Sequence, residues 1–112
     1  MKKLILVSLF GIMLSGLLAH SAQEVTATYD METKLLKVEF EHKVRDASDH
    51  FIYEVKIEVN KKEIITQLIS KQETADGGQL IYRIPDLKKG DEVKVVTECS
   101  KRGKKSAEIT VE

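Results

Sequence analysis

The sequence predicts an all-β domain, a seven-stranded immunoglobulin-like β-sandwich that follows an N-terminal signal peptide. Three observations predict it. Apolar and polar residues alternate in short runs through residues 23–112, the mark of half-buried strands. Turn chemistry separates the runs, as at Asp76-Gly77-Gly78 and Lys88-Lys89-Gly90-Asp91. No stretch of this region sustains a helical period.

Residues 1–22 stand apart. Lys2 and Lys3 precede an apolar run from Leu4 to Leu18, and the small or polar residues Ala19, His20, Ser21 and Ala22 follow. That order is a cleavable export signal, too short and wrongly flanked for a membrane span. The expectation is a secreted or periplasmic protein with no membrane association after cleavage. The cut falls after Ala19, Ser21 or Ala22. Cleavage after Ser21 puts small residues at both recognised positions. Cleavage after Ala22 puts His20 at the third position back, and cleavage after Ala19 puts Leu17 there. From sequence all three stay open.

Strand A spans about 24–29, with Val25, Ala27 and Tyr29 on one face, and turns at Asp30-Met31-Glu32-Thr33. Strand B, about 34–42, carries Leu36, Val38 and Phe40 inward. A polar connection leads to strand C, in which Phe51, Tyr53, Val55, Ile57 and Val59 alternate without a break. After Asn60-Lys61-Lys62 comes strand D, about 63–69, and then a polar loop from Lys71 to Gly78. Strand E, about 79–84, ends at Pro85, the only proline, which lacks a ladder N–H. Strand F spans about 92–99. Ser100 to Lys104 turns into strand G, about 106–111. The expected core is the aliphatic set with Phe40, Phe51 and Tyr53.

Charge narrows the function. Removing Lys2 and Lys3 from 18 basic residues leaves 16 against 18 acidic ones, a net charge near −2. A mixed, slightly acidic surface argues against nucleic acid or an anionic membrane as partner. The single cysteine, Cys99, leaves no disulfide within the chain, so the domain depends on its core.

In a sandwich of this type the B–C and F–G connections lie at one end, and so does the start of A. His42 closes strand B, His50 opens strand C, Cys99 closes strand F and His20 precedes strand A. These are all three histidines and the only cysteine. Imidazole and thiolate bind iron, copper and zinc, so His20, His42, His50 and Cys99 are candidate metal ligands. Carboxylates are scattered, glycine-rich phosphate loops are absent, and Ser48-Asp49-His50 cannot form a hydrolytic triad because adjacent residues on an extended chain point apart.

Asp49-His50-Phe51-Ile52, His42 upstream and Cys99-Ser100-Lys101-Arg102-Gly103 resemble ligand segments of the iron-binding domain of desulfoferrodoxins and superoxide reductases. The resemblance implies a ferrous centre with His42, His50, Cys99 and the amino-terminal His20 as ligands. It implies superoxide as substrate and an electron-donor protein as partner. Arg102 stands where that family has its last histidine, and Lys43 where it has a proline. His50-Phe51-Ile52, the Asn60 turn and the tail from Lys88 to Val111 are also similar to SoxZ-like proteins. That similarity implies a non-enzymatic binding subunit whose partner is a sulfur-carrier protein.

Overall fold

A computed structural model describes residues 21–112, and within them the chain is a β-sandwich without helices. Its strands are β1 (Glu24–Asp30), β2 (Leu35–Glu41), β3 (Ile52–Val59), β4 (Lys62–Leu68), β5 (Gly77–Arg83), β6 (Glu92–Cys99) and β7 (Lys104–Thr110). They form two antiparallel sheets, ordered β1-β2-β5 and β4-β3-β6-β7.

Alternation builds the core. Leu36 and Val38 of β2 face Val55 and Ile57 of β3 and Val93 and Val95 of β6, all without solvent exposure. Burying each such side chain stabilises the fold by about 1.5–3 kcal/mol. At one end of the sandwich, Asn60 and Lys61 take positive φ values of 50° and 72°, the pair that a two-residue hairpin needs to match strand twist. Asp91 accepts from Asn60 Nδ2 at 3.1 Å and from the Lys88 N–H at 2.8 Å, which fastens that turn to the start of β6.

Two expectations about the strands need correction. Gly77 and Gly78 lie within β5, paired with Glu41 and Phe40, instead of ending a loop before it. A Cβ on Gly77 would sit 2.0 Å from the Phe40 carbonyl oxygen, so only glycine lets β5 close on β2 there. Phe51 and Tyr53 are not core residues either. Ile52 pairs with Cys99 and Glu54 with Glu98, so Tyr53 is the extra residue of a β-bulge. The bulge reverses the facing of everything before it. Ile52 is fully buried, while Phe51 and Tyr53 are partly exposed.

The Tyr82 hydroxyl is buried and has no hydrogen-bond partner among the described residues. Burial pushes its pKa up to about 12. The unfolded chain releases that proton near pH 10, so stability falls as pH rises from about 10 to about 12. Tyr82→Phe is expected to remove part of this alkaline loss. At neutral pH it should hold stability or raise it by up to about 1 kcal/mol, since it deletes an unsatisfied buried group. Urea unfolding at neutral pH and at about pH 11 checks both.

Candidate metal centre

Three segments deliver three side chains to the end of the sandwich opposite the Asn60 turn. The inward alternation of Leu36, Val38 and Phe40 in β2 runs one step past the strand to His42, which is fully buried. The His42 N–H donates to Asp76 O at 2.9 Å, keeping the chain extended along β5. In β6 the same alternation takes Val93, Val95, Thr97 and then Cys99 inward, and Cys99 is 1% exposed.

His50 arrives differently. Asp46 closes a single helical turn ahead of β3, its carbonyl accepting from the N–H groups of Asp49 at 3.1 Å and His50 at 2.9 Å. Its carboxylate accepts from the Ser48 hydroxyl at 2.7 Å and from the Ser48 N–H at 3.0 Å. These bonds hold the Asp46 carboxyl below its ordinary pKa. The bulge at Tyr53 then decides the outcome. His50 shares a face with Ile52, and the bulge turns that face inward toward Cys99.

The result is compact. Nε2 of His50 lies 3.1 Å from Sγ of Cys99. The His42 and His50 rings meet edge to face, with centroids 4.8 Å apart and planes at 85°. One nitrogen from each ring and the sulfur all lie within 4.8 Å of one another. Two such donors bound at about 2.0–2.3 Å to one tetrahedral ion stand about 3.3–3.6 Å apart, so one ion can reach all three after side-chain shifts of about 1 Å. Two imidazoles and a thiolate suit iron, copper or zinc.

Cys99 sits in a tight turn. Its N–H donates to Gly103 O at 2.9 Å, and the Arg102 N–H donates back to Cys99 O at 3.0 Å. The Lys101 N–H points at the sulfur, 3.3 Å away. Burial pushes the thiol pKa up, and the Lys101 N–H and charge offset part of the shift. A cation bound through the sulfur would displace the thiol proton.

The structure brings together three of the four residues expected as ligands: His42, His50 and Cys99. His20 lies outside the described residues. Arg102 is exposed on the turn with φ +79°, and a guanidinium offers no lone pair to a metal. It lines a groove of about 440 Å³ behind the cysteine with Phe51, Tyr53, Glu98 and Ser100. A larger groove of about 660 Å³ runs over Glu24, Glu39 and Glu41 and includes none of the three ligands. The candidate metal group is the His42, His50 and Cys99 cluster, because ions are held by converging donors and not by open volume.

Gln72 is the residue that sequence reasoning missed. It lies in a stretch read as a polar loop, yet it is 1% exposed and 2.7 Å from Nδ1 of His42. Nothing in its sequence neighbourhood marks it, because its partners are distant in the chain.

No protein-family model matches the chain, and no curated protein matches it. Among solved structures it is similar to a superoxide reductase (1Fe-SOR) from Giardia intestinalis, with a TM-score of 0.59 and 14% identity. The match covers 82% of this chain and 97% of that one. At this identity the likeness establishes the fold, a sandwich of the superoxide-reductase type.

The Cys99 turn also depends on Gly103. With φ +107°, a Cβ there would lie 2.8 Å from the Ser21 backbone nitrogen. Gly103→Ala is expected to destabilise the domain by about 1–3 kcal/mol through strain, measured by urea or thermal unfolding.

Proposed function

We propose that this domain is an exported metalloprotein that holds one transition-metal ion through His42, His50 and Cys99, with iron as the ion and superoxide as the substrate. The observation that carries this reading is the convergence of two imidazole nitrogens and one buried sulfur within 4.8 Å. The superoxide-reductase-like fold supports it. Bound ferrous ion would supply one electron to superoxide, which takes up two protons and leaves as hydrogen peroxide. The chain's own residues set the conditions. His42, fully buried, and Cys99, 1% exposed, keep bulk water from one side of the centre, and His50, partly exposed, faces the solvent side. The Lys101 N–H steadies the charge of a Cys99 thiolate. A donor protein would return the spent electron.

His20 is the fourth ligand in this proposal. Ala22 is 3% exposed in the core, and Ser21 lies against Gly103 in the turn that carries Cys99. A cut after Ala22 would discard a core residue, and a cut after Ser21 would discard the contact with Gly103. These contacts favour cleavage after Ala19, which makes His20 the first residue of the mature chain. The mass of the processed, secreted protein tests this directly, and a mass matching a chain that starts at Ala22 or Gln23 removes His20 from the site.

Purified mature protein offered Fe(II), Cu and Zn should bind one equivalent. Its iron form should show a sulfur-to-metal absorption band that Cys99→Ser abolishes. Stoichiometric metal in neither protein would end the metal reading. The iron form should yield one hydrogen peroxide per superoxide consumed, twice the yield of dismutation. Because the Cys99 thiol, its pKa raised by burial, must lose its proton on binding, apparent metal affinity should rise roughly tenfold per pH unit below the thiol pKa. Competition titrations should show this slope in the wild-type protein and not in Cys99→Ser.

A further inference from the structure

The side chain of Gln72 can be assigned atom by atom. Its Nε2 lies 2.7 Å from His42 O and 2.9 Å from Thr74 O. Both partners are carbonyls and can only accept, so this atom is the amide nitrogen. Its Oε1 lies 3.2 Å from the Ile52 backbone nitrogen, which can only donate, so this atom is the oxygen. The same oxygen lies 2.7 Å from Nδ1 of His42. An amide oxygen accepts and never donates. Nδ1 of His42 must therefore carry the hydrogen, and in the neutral ring the lone pair is on Nε2.

We infer that Gln72 is a positioning residue that locks His42 in the Nδ1–H tautomer, so that Nε2 is the nitrogen His42 presents to a metal. This inference rests on the proposed metal site for its last clause alone. The lock is mechanical as well as protonic. One buried carboxamide binds the His42 carbonyl just past β2, the Ile52 N–H at the start of β3 and the Thr74 carbonyl ahead of β5, while its own backbone N–H donates to Ala47 O at 3.0 Å. The connection bearing His50 and the chain bearing His42 are thus tied by the same residue, through its backbone N–H and its side chain respectively. A histidine ligand whose outer nitrogen donates to a fixed acceptor is oriented before the ion arrives and is a stronger base toward it.

The test uses mature protein labelled with ¹⁵N-histidine, in mildly alkaline buffer, before and after addition of Zn(II) as a diamagnetic probe. Long-range ¹H–¹⁵N correlation should show metal-free His42 protonated at Nδ1 and not at Nε2. On zinc addition the resonance shift should fall on Nε2. Gln72→Leu should populate the Nε2–H form and weaken zinc binding roughly 10- to 100-fold. Gln72→Glu keeps an acceptor for Nδ1–H while losing both amide donations, so it should restore the tautomer that Gln72→Leu loses. An Nε2–H pattern in the wild-type protein overturns the lock. So does a folded Gln72→Leu that keeps the wild-type pattern. Should Gln72→Leu not fold, the wild-type pattern and the Gln72→Glu spectrum still decide. A wild-type protein with the Nδ1–H pattern that takes up none of Zn(II), Fe(II) and Cu upholds the lock and sinks the metal reading.

Discussion

An extended chain shows its side chains to opposite faces in turn, and the centre exists because that period survives past the strand ends. β2 and β6 each bring a hydrophobic row to the sandwich interior, and each row ends in a candidate metal ligand, His42 and Cys99. Packing of the two sheets therefore does more than bury apolar area. It obliges the residue after the last core position of each strand to point into the same closed end. Only β3 breaks the rule, and it breaks it usefully. Without the extra residue at Tyr53, His50 would share a face with Glu54 and Lys56 and point away from the core.

Placing polar groups at such an end is costly unless each finds a partner, since one unsatisfied buried group costs about 1–3 kcal/mol. The protein meets this locally. His42 and Gln72 satisfy one another and three backbone groups, and Thr97 donates its hydroxyl to Lys105 O at 2.9 Å. The sulfur accepts from Lys101 and contacts His50. The opposite end, closed by Asn60 and Asp91, uses exposed side chains and ordinary turn chemistry. Among the described residues, only the Cys99 end gathers imidazole and thiol groups in low dielectric. There the thiol holds its proton more tightly than in water, and a cation gains from the weak screening once that proton leaves.

The strands were legible because their signal is local. The alternating residues of β2 and β6 and the turns at Asn60 and Gly90 lie within a few positions of one another. The convergence of His42, His50 and Cys99 was legible at one remove, since strand count implied a sandwich and the sandwich implied which loops share an end. The facing of Phe51 and Tyr53 was not. An unbroken alternation in sequence looks the same whether or not the partner strand skips a residue, so the bulge is a property of the β3–β6 pair and not of β3.

From sequence alone came the all-β class, the strand order along the chain and the identity of three converging candidate ligands, because each follows from residue periodicity and turn chemistry within short windows. Tertiary structure alone decided which way His50 faces, how close the nitrogens and the sulfur stand, and which nitrogen of His42 carries the hydrogen. Those three depend on register between strands and on Gln72, which is 30 residues from His42 along the chain and 2.7 Å from it in space. Hydrogen bonds of that reach form only when the whole sandwich closes.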